Sequence, residues 1–104
     1  MKLHVTQPKQ NEDIYLLEIL ADNNQPANAQ NPINRQEFLT VDFPDVNGEL
    51  LIISGMPMSA VAMIAIHYKN LFSAIAVVNA REKVAEVIHS MHPDYKVSSI
   101  IPMD

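Results

Sequence analysis

The sequence predicts a single α/β domain with a mixed sheet and one long buried helix, and three observations support this. A chain of 104 residues is long enough for one packed core and too short for two. Hydrophobic residues make up 48% of it and charged residues 18%, a balance typical of globular proteins. Two short apolar runs flank an apolar segment of helical length, an order typical of a β-α-β unit. We therefore expect residues 1–104 to form one domain.

Composition and charge exclude several classes of protein. The chain has no cysteine, which removes disulfides and thiolate sites and fits a reducing compartment. A net charge of −5 argues against non-specific binding to DNA or long RNA, which needs many Lys and Arg. The first residues carry no apolar signal core, and the longest apolar run, 56–66, is too short for a bilayer core of roughly 30 Å. We expect a cytoplasmic protein with no membrane partner.

The first half of the chain predicts a hairpin followed by a long connection. Residues 3–6 and 14–20 have strand composition and flank a polar turn, so they are expected to pair. Residues 21–34 are rich in Asn, Gln, Pro and Ala and are interpreted as a surface loop. Residues 35–43 return to apolar alternation, which suits a strand or a short helix followed by a strand.

The second half predicts a parallel β-α-β unit. Residues 50–53 and 74–78 are continuous apolar runs typical of buried strands, and 57–72 form a segment free of internal Gly and Pro, predicting a helix of about four turns. In open α/β folds ligands bind where the strands end, here at Ser54-Gly55 and at Asn79-Ala80-Arg81. The helix that starts at Pro57 points its free amide donors at this edge, which suits a phosphate.

The last part of the chain is predicted from local spacing. Val84, Val87, Ile88 and Met91 stand at i, i+3, i+4 and i+7, which predicts a helix over residues 81–92. Pro93 ends that helix, and residues 96–101 are expected to form a final strand.

Few side chains in this predicted fold are candidates for binding a ligand or a metal. Arg81 suits bidentate phosphate binding, although Glu82 beside it offers a surface ion pair instead. His89 and His92 lie three apart, a spacing that on a helix allows a shared metal but also fits two surface histidines. His67 lies on the polar side of the long helix, either as a partly exposed residue or as a ligand contact.

Residues 50–95 carry three segments, LLIISGMP, AIHYKNLFSAIAVVNAR and HPDYKV, that together resemble a known family. The family is Csx family three of the type III CRISPR accessory proteins, also called the third CRISPR ring nuclease family. The resemblance implies a small Rossmann-like domain of the CRISPR-associated type that forms homodimers. It further implies binding of cyclic tetra-adenylate between dimers and its cleavage with manganese assistance, which switches off the second messenger of antiviral defence.

At the positions that match the functional residues of the family, this chain keeps some residue types and replaces others. Gly55 and Pro57 match the turn before the helix, and Arg81 matches the basic residue after the second strand. The family histidine before that strand falls on Asn70, and the aspartate at its end falls on Asn79; an amide is not a general base. The later histidine falls on Met91, and a shift in register brings His89 or His92 there. The resulting catalytic candidates are Arg81, Asn70, Asn79 and His89, and the ligand-binding candidates are Ser54, Gly55, Met56, Pro57, His67 and His92.

Three functions remain open at this point. The first is a ring nuclease in which Arg81 and the helix start stabilise the charge of in-line attack by an adenosine 2′-hydroxyl. The second is a binding module, a sensor or sponge that holds cyclic oligoadenylate or short RNA without cutting it. The third is a dimeric structural or regulatory subunit that uses its apolar helix as the interface.

Overall fold

Six strands form one mixed sheet in the computed structural model, which describes residues 1–8, 13–34, 36–37 and 41–103. Along the chain the elements are β1 (Lys2–Thr6), β2 (Ile14–Leu20), β3 (Gly48–Ser54), α1 (Met58–Tyr68), β4 (Phe72–Asn79), β5 (Val84–Ser90) and β6 (Ile100–Pro102). The strands lie side by side in chain order. Pairing is parallel from β2 to β3 and from β3 to β4, and antiparallel at the other three ladders. The predicted α/β class, the β1–β2 hairpin and the parallel β3-α1-β4 unit are confirmed.

The core is divided between the two faces of the sheet. On one face α1 covers the central strands, and Leu51, Ile53 and Ile75 are fully buried beneath it. On the other face the alternate residues, such as Ile52 and Ala76, pack against the last part of the chain. This alternation is the period-two consequence of a strand whose two faces are both covered.

The expectation of one long buried helix is wrong in both length and burial. The helix has 11 residues and ends at Tyr68, where the amide of Leu71 donates to the Tyr68 carbonyl at 2.9 Å. Phe72 already belongs to β4, because its ring packs edge-on against Tyr68 and Tyr15, 5.9 and 5.7 Å away between centroids. The side of α1 that faces away from the sheet is exposed. No helix of the described residues is long and apolar enough to cross a membrane.

The helix predicted over residues 81–92 is instead the strand β5. The chain reverses in a tight turn at Lys83, whose φ is +55°, and β5 then pairs antiparallel with the free edge of β4. Ala85 and Val87 are buried on one face of the sheet, while Glu86 between them is exposed on the other. The open edge of β4 favours a strand over a helix here, because the backbone amides and carbonyls of the buried β4 need hydrogen-bond partners.

The remaining predictions hold in part. Residues 21–34 follow an irregular, mostly exposed path, but Ala27 is buried in the helix-side core and its amide donates to the Ile19 carbonyl at 2.9 Å. The element predicted over 35–43 falls partly outside the described residues, and 41–43 have no regular structure. The last strand is shorter than expected, because residues 96–99 turn before it, with Ser98 at a φ of +76°.

Candidate functional site

The ends of β3 and β4 meet at one edge of the sheet, as their parallel pairing requires. Ser54 ends β3 and is followed by Gly55 and Met56, while Asn79 ends β4 and is followed by Ala80; all five line one groove of about 800 Å³. The groove runs from this carboxyl edge along the space between α1 and β5. The carboxyl edge predicted from the sequence therefore adjoins the large groove of the molecule.

Gly55 is required by the turn that leads from β3 into α1. Its φ is +134°, a conformation that side chains disfavour, and a Cβ there would lie 2.8 Å from the Cβ of Ile19. The next peptide, between Met56 and Pro57, is cis. Pro57 is the N-cap residue, no side chain caps the helix start, and the first turn holds no acidic residue. The first amides of α1 therefore point toward the edge without a negative side chain to neutralise their dipole.

Asn79 and Arg81 form the opposite side of this edge. The Asn79 Oδ1 atom accepts hydrogen bonds from the amides of Arg81 at 3.1 Å and Glu82 at 3.3 Å. The amide oxygen is thus used by the turn, and the NH₂ group is the part of Asn79 that can meet a ligand. Arg81 is exposed and makes no ion pair with Glu82, the alternative that the sequence left open. Among the described residues no carboxylate forms an ion pair with its guanidinium, a group whose planar donors match phosphate and carboxylate.

The other candidates lie toward the opposite, amino edge of the sheet. Since β3 spans seven residues, its two ends are about 20 Å apart. Asn70 is exposed in the turn between α1 and β4, beside the start of β3. His67, in the last turn of α1, is stacked on Phe43 with ring centroids 3.9 Å apart. Within one protomer the structure therefore does not bring Asn70 and His67 together with Arg81.

The two histidines near the end of the chain have structural surroundings. His92 places its Nε2 atom 2.5 Å from Glu49 Oε1, and its Nδ1 atom accepts a hydrogen bond from the Asp94 amide at 3.0 Å. His92 thereby fastens the segment after β5 to the amino end of β3. His89 opposes Ile75 across the β4–β5 ladder, and its Nε2 atom is buried without a partner among the described residues. His89 lies on β5 and His92 lies beyond its end with both ring nitrogens engaged, so the shared metal site that a helix would allow is not formed.

The residues that the structure describes do not fit a protein-held manganese ion. In the part of the chain that the structure describes, no three His, Asp or Glu side chains converge on a point that could hold a metal. Hard divalent cations need several oxygen or nitrogen ligands around one position.

The groove is mostly apolar and carries three carboxylates, which the sequence analysis did not predict. Its lining includes apolar side chains from α1, β4, β5 and β6, together with the carboxylates of Glu18, Glu82 and Glu86. The period-two pattern of residues 84–88 was the available signal, because a strand reading places Glu86 and Ile88 on one face. The carboxylates repel phosphates, so an anion at this edge must lie near Arg81 and the start of α1.

Comparison with known proteins adds no relative to this picture. No protein-family model matches the chain, and neither a curated protein nor a solved structure matches it.

Proposed function

We propose that this chain is a ring nuclease that binds cyclic tetra-adenylate at the carboxyl edge and cleaves it in the cytoplasm, lowering the signal of a type III CRISPR system. Its fold is then the small Rossmann-like type found in that defence. One observation carries the proposal: the Gly55 turn, the first residue of α1 and Asn79 line one groove, and Arg81, which pairs with no carboxylate among the described residues, follows Asn79 in the turn after β4. These are the groups that bind a phosphate diester and stabilise added negative charge on it.

The proposed reaction is an in-line transesterification. The 2′-oxygen of one adenosine attacks the adjacent phosphorus while the bond from phosphorus to the 5′-oxygen breaks. The 2′-hydroxyl proton goes to water and the leaving 5′-oxygen takes one, so the products are a 2′,3′-cyclic phosphate end and a 5′-hydroxyl end. Arg81 and the α1 amides stabilise the charge of the five-coordinate phosphorus, and the NH₂ group of Asn79 positions a ligand oxygen.

The proposed site requires residues from a second copy of the chain. Asn70 and His67 lie toward the amino edge of the sheet, and Arg81 lies beyond the carboxyl edge, which is about 20 Å away along β3; we infer that they reach the same ligand from another copy. A symmetric ring suits such an arrangement, since two or four identical edges can hold equivalent phosphates. The proposed partners are therefore a homodimer and a pair of dimers that enclose the ring.

The second candidate is a module that binds cyclic oligoadenylate or short RNA without cutting it. Asn70 and Asn79 cannot accept a proton as general bases, and the Nε2 atom of His89 is buried. This chemistry favours retention of the ligand over fast turnover. Binding and cleavage therefore have to be measured separately.

Labelled cyclic tetra-adenylate with excess protein, with and without manganese, tests the proposal. We expect a linear product, and Arg81→Ala should lower binding and cleavage about tenfold to a hundredfold, because it removes a charged hydrogen-bond donor to phosphate. The matched control is Lys96→Ala, which removes an exposed positive charge from the turn before β6 and should have little effect. A ring that binds and stays intact would establish the second candidate, and a ring that does not bind would exclude both.

A further inference from the structure

Glu86 is a single carboxylate in the middle of an apolar strip. It opposes Val77 on β4 and Ile100 on β6, and along β5 it lies between Val84 and Ile88, which also line the groove. All five residues line the groove. Its side chain is exposed, so the carboxylate presents a hydrogen-bond acceptor surrounded on four sides by hydrocarbon.

The strip is open because α1 covers the central strands and leaves the β5–β6 side of the sheet bare. A helix is about 10 Å across and neighbouring strands are about 4.8 Å apart, so one helix covers roughly two strands. The wall opposite Glu86 is formed by Met58, Val61 and Ala62 of α1. The result is an apolar groove with a polar group on its floor, which suits a flat, largely apolar ligand that carries a hydrogen-bond donor.

Asn79 places a second polar group at the end of the same strip. It shares a face with Val77, two residues away on β4, and therefore lies about 7 Å along the strand from the position opposite Glu86. Its oxygen is engaged by the turn, so it offers a donor, while Glu86 offers an acceptor. Adenine has the complementary edge, an amino group that donates beside ring nitrogens that accept.

We infer that this groove binds one adenine base, with its 6-amino group donating to Glu86 and a ring nitrogen accepting from the NH₂ of Asn79. The inference rests on the proposed function and assigns a specificity residue to it. Sulfur–aromatic contacts from Met56 and Met58, which line the same wall, suit a stacked purine. The phosphate then lies at the carboxyl edge beside Arg81, away from the carboxylates of the groove, while the base occupies the groove itself.

Calorimetry with two rings tests the assignment: cyclic tetra-adenylate, and the same ring built from purine riboside, which lacks the 6-amino group. We expect the wild-type chain to prefer the adenylate ring by about tenfold, the size expected for a hydrogen bond to a charged group. Glu86→Gln should reduce this preference to about threefold or less, because the neutral amide forms the weaker hydrogen bond.

The matched control is Glu18→Gln, which removes an equal charge from the β2 side of the groove. Losing a negative charge is expected to tighten binding of both rings to both variants, so the ratio between the rings is the readout. Equal affinity of the wild-type chain for the two rings would overturn the adenine assignment and leave the proposed function standing. Tighter binding of a guanylate ring would overturn it too, and no binding of any ring would overturn both.

Discussion

Tyr68 ties the end of α1 to the connection that precedes β3. Its side chain is fully buried, and its hydroxyl donates to the Pro44 carbonyl at 2.6 Å. Burial, and to a smaller extent the charge of Asp45, raises the pKa of Tyr68 to about 12. The folded chain therefore keeps this proton under conditions in which the unfolded chain, with a pKa near 10, loses it.

We predict that the free energy of unfolding falls as the pH rises from about 10 to about 12, because the unfolded state binds fewer protons there than the folded state. Tyr68→Phe removes this titration and should flatten the alkaline decline, while costing about 1 kcal/mol at neutral pH through the lost hydrogen bond to Pro44. Urea unfolding at a series of pH values measures both effects. Tyr15→Phe is the control, and an unchanged alkaline slope in Tyr68→Phe would contradict the assignment.

At the scale of elements, the N-terminal ammonium holds the β2–β3 connection in place. It lies 3.0 Å from Asp22 Oδ1 and 3.6 Å from Glu37 Oε1. The nearly buried Glu37 carboxylate also accepts hydrogen bonds from the amides of Asp22 at 3.1 Å and Asn34 at 2.5 Å. The ammonium is thus a positive partner of a buried carboxylate, and that carboxylate links Asp22 to Asn34 within the connection.

Acetylation of this amine is predicted to lower the free energy of unfolding by about 3 kcal/mol, because it leaves the Glu37 carboxylate buried without its cation. Hydrogen bonding to the ammonium also lowers the pKa of Asp22. The contribution of Asp22 to the free energy of unfolding is present above a pH of about 3.8, and it is lost as the pH falls through the lower pKa of the folded state. Chemical unfolding of acetylated and unmodified chains measures the loss. Asp22→Asn should remove the acid dependence with a smaller loss at pH 7, and equal stability of the acetylated chain would refute the role.

The elements that the sequence predicted correctly are those with strong local signals. The apolar runs around residues 50–53 and 74–78, together with Gly55 and Pro57, were enough to predict two parallel strands and a helix start. β5 was missed because its apolar residues also fit helical spacing, and the deciding factor, the open edge of β4, is not local. The sequence predicts too long a helix because no Gly or Pro stands between Pro57 and Phe72. The place of Phe72 in the core is set by tertiary packing.

In the candidate site, too, some features follow from the local sequence and others depend on the tertiary structure. The carboxyl edge followed from the parallel unit, so Ser54, Gly55 and Asn79 were placed together in advance. The same parallel unit places Asn70 at the other edge, because Asn70 precedes the strand that Asn79 ends; the family resemblance groups the two by residue role and not by position. The groove was not foreseen, since a helix in place of β5 leaves no exposed strip around Glu86.

For the whole molecule, the outer stripe of α1 is the feature that a single copy leaves uncovered. Met58, Ala62 and Ile66 stand at i, i+4 and i+8 and form one exposed row along α1, whose first two members also border the groove. The relative exposure is 79% at Met58 and 72% at Ile66, which is high for large apolar residues. The helix contains no acidic residue, although the chain carries a net charge of −5. Two acidic copies therefore meet with least repulsion along this stripe.

We predict that the chain is a homodimer in solution and that Ile66→Glu converts it to a monomer, because the substitution buries an unpaired charge at the interface. Sedimentation velocity measures the change. Val97→Glu introduces the same charge at a position 58% exposed in the turn before β6, and this variant should stay dimeric. Ile66 is not among the residues that line the groove, so the monomer should retain the base site. It should, however, cleave the ring far more slowly, because Asn70 and His67 of a second copy no longer reach the ligand. If the wild-type chain is a monomer, or if the Ile66→Glu variant remains a dimer, this stripe is not the interface.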